Sequence, residues 1–342
     1  QERPRYVSRE REESPLPTLE EARARRVPVD FADPAPPTPA FTGRREVDVP
    51  LAELVPLIDW TFFFHAWELK GRYPDLLDHP DHGAAARELH EHALALLETL
   101  VTGDELRAKG VYGFWPAAGV GDDLVLYTDE SRSAELMRFP MLRSQASGGD
   151  DKHAECLADY VAPADGPLDH LGAFAVTAGL GADEISARFE ADHDDYNSIM
   201  VKALADRLAE AFAEWIHREV RREWGFGADE GLTFEQLHRE RYRGIRPAIG
   251  YPACPDHHPK HALFELLDAP AIGMSLTEHG AMLPMASVSG IILQHPASHY
   301  FSVGRLDRDQ IHDYAARSGR TVEDTERDLG SWLAYDPDAP TR

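Results

Sequence analysis

The chain has 342 residues, 43% of them apolar and 28% charged, with fourteen Phe, eleven Tyr and six Trp, which is ample material for a large packed core and excludes a disordered chain. Its 35 basic residues face 60 acidic ones, for a net charge of −25. A surface this negative repels phosphate backbones and anionic lipid, so neither nucleic acid nor a membrane surface is an expected partner.

Only two cysteines occur, Cys156 and Cys254, with no Cys-x-x-Cys pair, which argues against a disulfide framework and for a reducing compartment. No run approaches 18 apolar residues, and Gln1-Glu2-Arg3-Pro4 resembles no signal segment, so a soluble cytoplasmic protein is expected. Nine of the 25 prolines fall within residues 1–50. This stretch reads as an extended, polyproline-like connector with one short helix near Leu19–Arg26.

From Val49 the pattern changes. Helical spacing covers Leu51–Leu69 and Gly83–Leu100, and β-rich runs follow at Val111–Trp115, Asp123–Thr128, Cys156–Val161 and Leu171–Thr177. Ile185, Phe189, Tyr196, Ile199, Ala203, Leu208, Phe212, Ile216 and Val220 then form one apolar stripe, predicting a helix of about 35 residues, roughly 50 Å long. A helical stretch near Thr233–Tyr242 leads into the loop Arg246–Pro255, whose three prolines fix an irregular, stiff backbone. Strand-like runs at Ile272–Glu278, Val288–Leu293 and His299–Gly304 precede terminal helices near Asp307–Arg317 and Thr321–Leu329. Strands grouped around a long helix, without a βαβ series, predict an α+β fold with a mainly antiparallel sheet.

Three candidate motifs carry little chemistry. Ala173–Gly181 runs from strand to helix like a dinucleotide fingerprint, but Glu184 stands where the third Gly belongs. Cys254, Asp256, His257, His258 and His261 crowd eight positions without tetrahedral metal spacing, so no metal site is expected. The acidic run Glu190, Asp192, Asp194, Asp195 fits first-turn helix electrostatics. Asp206 and Glu210 differ, because like charges at i,i+4 disfavour a helix and are explained either by solubility or by a partner's proton donor. The loop is the strongest feature: it presents Arg246 and Tyr251 on a fixed backbone, and a guanidinium fork suits a ligand carboxylate.

At this loop the chain resembles a known family. Arg246-Pro247-Ala248-Ile249-Gly250-Tyr251-Pro252-Ala253-Cys254-Pro255 is similar to the signature segment of the activation domain of cobalamin-dependent methionine synthase. Further matching segments are Ile58–Phe63, Gly121–Asp123, Leu157–Pro163, Ala191–Asn197 and Ala286–Gly290, followed by His295-Pro296 and Tyr300-Phe301. The likeness runs from about Leu19 to Pro337. It departs from the family pattern at Phe62, where Pro is usual, and at Gly280, where an aromatic residue is usual.

The resemblance implies a single C-shaped domain over residues 49–342, with residues 1–48 as the linker from a cobalamin-binding domain that precedes it. It implies a reactivation module without turnover of its own, in which S-adenosylmethionine is bound and presented for reductive methylation of cobalamin on that neighbouring domain. The electron comes from a flavodoxin-type reductase, and a monomer is expected. Ligand contacts are implied for Asp59, Glu240, Arg246, Ala248, Gly250, Tyr251, Tyr300 and Phe301, and contact with the cobalamin domain for Asp206 and Glu210; no residue is implied as catalytic. Competing readings are a docking module without useful ligand affinity, and a separately encoded reactivator of another corrinoid methyltransferase.

Overall fold

The computed structural model describes residues 16–145, 153–227, 230–233, 236–237 and 241–338. Its centre is a six-stranded antiparallel sheet in the order β4-β3-β2-β5-β8, with β1 also paired to β2. The strands are β1 Gly43–Val49, β2 Arg107–Val120, β3 Asp123–Tyr127, β4 Glu135–Pro140, β5 Asp169–Leu180 and β8 Ser287–Ile292. The long β2 serves two neighbours along one edge, pairing with β1 over Ala108–Phe114 and with β3 over Ala117–Val120. A separate two-stranded ribbon joins β6 Ser275–Leu276 to β7 Met282–Leu283.

Alternation along the strands divides the interior in two. Tyr112, Phe114, Phe174, Val176, Ala178 and Ile292 face one cluster, whereas Val111, Ala117, Leu171, Ala173, Ala175 and Ile291 face the other. The first cluster is covered by α2 Leu51–Leu54, α3 Trp60–Ala66, α4 Gly83–Thr102, α5 Ala182–Ala191 and α6 Asp195–Trp224. The second is closed by α7 Pro259–Leu267, which brings Leu263, Phe264 and Leu267 onto it. A third, smaller cluster joins Leu142 to α8 Arg308–Ser318 and to the segment after α9 Val322–Asp328.

The α+β arrangement and antiparallel sheet expected from the sequence are present, and four local expectations are corrected. The single long helix is two: α5 and α6 are separated at Asp192–Asp194, where His193 takes φ +61° and the Asp194 carboxylate caps α6 by accepting from Asn197 N at 3.0 Å. The remaining helix has 30 residues, about 45 Å, and ends at Gly225 in the left-handed region. Cys156–Val161 is a 3-10 turn, not a strand, because the Asp159 carboxylate folds back to accept from Cys156 N. Ile272–Glu278 keeps only the two residues of β6, and His299–Gly304 is irregular. Of the helix expected at Thr233–Tyr242, Gln236 and Leu237 are helical and much of the rest lies outside the described residues.

The described part of the expected connector is packed against the body. α1 Leu19–Ala24 carries a capping box between Thr18 and Glu21 and buries Leu19 and Ala22. Arg23 pairs with Asp122 at 2.7 Å and Asp313 at 2.8 Å, and Arg26 with Asp159 at 3.0 Å. Asp122 and Asp159 also hold Arg143, which is only 1% exposed, at 2.6 and 2.7 Å. Burial alone would raise the Asp122 pKa, but Arg143 and Arg23 outweigh it and leave it below the ordinary carboxylate value. Beyond α1 the chain crosses the end of α6, where Trp224 Nε1 donates to Pro37 O at 3.2 Å, and enters the sheet as β1.

Candidate functional site

The proline-rich loop is an added edge of the sheet. Ile245 and Leu293 exchange two backbone hydrogen bonds of 2.9 Å, and Ile291 N donates to Pro247 O at 3.1 Å. Ala248 bridges to Gly290, the β8 residue whose other side pairs with Phe174 of β5. This approach needs glycine: a Cβ on Gly290 would stand 2.6 Å from Pro247 O. Gly250, at φ +98°, turns the chain away from the sheet, with the His257 ring 2.4 Å from where its Cβ would be. The tight turn Tyr251–Cys254 follows, closed by Cys254 N to Tyr251 O at 2.8 Å and flanked by Gly250 N to Cys254 O at 2.7 Å.

Between this loop, α6 and β8 lies a cavity of about 380 Å³, within the size range of small-molecule sites. Arg246, Ala248, Tyr251, Tyr300 and Phe301 line it, as does Glu210. Phe174, Ala213, Met282 and Val288 supply apolar wall, Ser287 and Ser289 polar edge, and Lys260 a second cation. The irregular segment after β8 is anchored to the loop, since Arg246 N donates to Tyr300 Oη at 3.1 Å and Val303 N to Pro252 O at 2.9 Å.

Arg246 is held by neighbours that the sequence reading did not name. Its Nη2 pairs with Glu214, and Nη1 donates to Tyr242 Oη at 3.0 Å and His217 Nδ1 at 3.1 Å. Burial alone would lower the Arg246 pKa; Glu214 beside it reverses the sign and keeps the guanidinium charged. Glu210 is shifted the other way, raised by burial against Arg207 and with help from Asp206. Lys260 Nζ bonds His257 Nδ1 at 2.9 Å and Gly280 O at 3.2 Å, and burial lowers its pKa.

Other expected positions fall elsewhere. Asp59 is the N-cap of α3, accepting from Thr61 N at 2.8 Å, and is not among the residues lining this cavity. Gly250 acts through backbone shape between two lining residues. Asp206 stands one turn from Glu210 on α6, half-exposed and paired with Arg207, close enough with Glu210 to raise the Tyr251 pKa after burial. Glu240 lies outside the described residues. Glu214 had a signal in the sequence, because Asp206, Glu210 and Glu214 continue one i,i+4 series; Lys260 and His217 had none. His257, His258 and His261 open onto a different, polar cavity beside Arg320 and Asp324, and among the described residues no three His, Cys, Asp or Glu converge on a metal position. No described helix is long and apolar enough to cross a membrane.

The arrangement offers a fixed guanidinium for an anion, a carboxylate for a cation, and aromatic and apolar walls for a flat ring. Two comparisons agree with it. The crystal structure of the MetH reactivation domain bound to AdoHcy superposes with a TM-score of 0.92 at 46% identity, covering 94% of this chain and 100% of that one. The family described as vitamin B12-dependent methionine synthase, activation domain, matches residues 50–319, and the chain belongs to that family.

Proposed function

We propose that the cavity beside the Arg246 loop binds S-adenosylmethionine and presents its methyl group to cobalamin carried by a neighbouring domain. The observation that carries this reading is that a charged, largely enclosed Arg246 and an acidic Glu210 line the same small cavity. A zwitterionic amino acid needs both signs, and a sulfonium needs nearby negative charge or an aromatic face. Arg246 would take the carboxylate, Glu210 would stand toward the cationic part, and Tyr251, Tyr300 and Phe301 would border the adenosine and sulfonium. Asp59 and Glu240 remain proposed contacts from the resemblance. The bound AdoHcy of the similar structure is the demethylated form of the same ligand.

Cobalamin, when bound to its own domain, supplies the methyl acceptor, and a flavodoxin-type reductase the electron. The work of this chain is to bind the methyl donor, orient it and shape the docking face. Asp206 and Glu210 sit where an imidazole released by the cobalamin domain would meet two carboxylates, which raise an imidazole pKa and favour its protonated, detached form. In this reading the chain is a cytoplasmic domain following the cobalamin-binding one, and turns nothing over alone.

Calorimetry with S-adenosylmethionine tests the proposal. Saturable binding that weakens at least tenfold in Arg246→Ala is expected, since a charge-assisted pair is worth about 1.5–3 kcal/mol. Equal binding by both proteins overturns it. Complex formation with the cobalamin domain that ignores S-adenosylmethionine would favour a docking module instead.

A further inference from the structure

Asp206, Glu210, Glu214 and His217 follow one another at one-turn spacings on α6 and so share one edge of the helix. The last two grip Arg246. The ionised pair is largely enclosed, with side-chain exposures of 15% for Arg246 and 17% for Glu214. His217 is buried, and because a guanidinium only donates, its Nδ1 must be the acceptor and its proton must reside on Nε2. Burial, then Arg246 and Arg221, push the His217 pKa well down, so the ring stays neutral and remains an acceptor. Among the described residues, Glu214, Tyr242 and His217 therefore take up three of the five guanidinium N–H groups.

We propose that Glu214 is a positioning residue: it fixes the Arg246 fork at the cavity wall so that a ligand carboxylate meets a guanidinium already in place. The proposal rests on the reading of the cavity as the S-adenosylmethionine site. A guanidinium on a long flexible stem is a poor clamp until its orientation is fixed. Glu214 partly neutralises Arg246 and so weakens its pull at a distance. It also compensates the burial of the cation, without which the side chain would swing toward solvent or toward Glu210. At bonding distance orientation dominates, because two parallel N–H···O bonds require the fork in one plane.

The test compares S-adenosylmethionine with decarboxylated S-adenosylmethionine, which keeps sulfonium, ammonium and adenosine and lacks only the carboxylate. Calorimetry on the full chain would cover the wild type, Glu214→Ala, Glu214→Gln, Arg246→Ala and the double variant. Glu214→Ala should weaken S-adenosylmethionine binding at least tenfold and the decarboxylated ligand less than twofold. Glu214→Gln, which keeps an acceptor at that reach, should recover most of the loss. Adding Glu214→Ala to Arg246→Ala should cost nothing more. Equal loss for both ligands, or additive loss in the double variant, overturns the proposal. If Glu214→Ala does not fold, Glu214→Asp replaces it: carboxylate-selective loss supports the proposal and its absence refutes it. A wild type that binds neither ligand refutes the reading of the cavity, whereas loss in Arg246→Ala without loss in Glu214→Ala refutes the positioning role alone.

Discussion

Gly290→Ala probes the contact that makes the site. The loop carrying Arg246 reaches its place by laying Pro247 O against Gly290, where an added Cβ would stand 2.6 Å from that oxygen and 3.1 Å from Phe174 Cε1. Cβ atoms do not approach within 3.0 Å, so the loop must retreat by at least 3.0 − 2.6 = 0.4 Å. Such a retreat stretches the 3.1 Å bond from Ile291 N to Pro247 O. Overpacking of this kind costs about 1–3 kcal/mol, and a weakened backbone bond about 1 kcal/mol more. The sum, roughly 2–4 kcal/mol, corresponds to a fall in Tm of about 3–7 °C for a domain of this size. Because Arg246 and Ala248 ride on the displaced segment, affinity for S-adenosylmethionine should drop at least about tenfold, or 1.4 kcal/mol. Scanning calorimetry and titration check both numbers, with Gly330→Ala as the control, since a Cβ there meets nothing within 4 Å. A Gly290→Ala protein that melts with the wild type and binds equally well would refute the idea that close approach to β8 fixes the loop.

Three further outcomes follow from the packing. Arg143→Ala leaves the buried carboxylates of Asp122 and Asp159 with only the part-exposed Arg23 and Arg26 as ionic partners and should cost about 3–5 kcal/mol, read as a large loss in Tm or in soluble yield. Arg23→Ala removes a half-exposed partner of Asp122 and of Asp313 and should cost about 1–2 kcal/mol by urea unfolding; a neutral result would mean that α1 is only loosely docked. His170 is buried with no partner for either ring nitrogen among the described residues, and burial lowers its pKa to about 4. Its folded pKa lies below the unfolded value of about 6.5, so the stability it confers is complete above pH 6.5 and is lost as pH falls toward 4. Unfolding free energy should thus decrease by about 2 kcal/mol between pH 7 and pH 5 on account of this residue. His170→Leu should flatten the profile by that amount, and an unchanged slope would count against the burial argument.

What the sequence disclosed follows from what each element depends on. Leu171–Thr177 and Val288–Leu293 were readable because both strands are covered on two faces and so are nearly continuous apolar runs. β1 and β4 were missed for the opposite reason: Gly43–Val49 and Glu135–Pro140 are sheet margins rich in charged residues, and pairing with β2 and β3, not a local pattern, makes them strands. The break between α5 and α6 was hidden because apolar residues continue at helical spacing across it, from Phe189 to Tyr196 and Ile199, although those last two are exposed and the buried face of α6 runs through Val201 and Leu204. The Arg143 cluster joins residues 23, 26, 122, 143 and 159, and nothing in a linear pattern relates them.

The same distinction explains the site. The loop was legible because three prolines and an Arg in ten residues are a local signal, and its resemblance named Arg246, Ala248, Tyr251 and Tyr300, all of which reach the cavity. The helix edge opposite was legible only in part. Asp206 and Glu210 stood out as an unfavourable i,i+4 pair, yet the same spacing leads to Glu214, whose charge is cancelled by an Arg that arrives from 32 residues away. In this chain the acidic series runs from the face proposed for a partner domain, through the cavity wall, to the residue that holds Arg246.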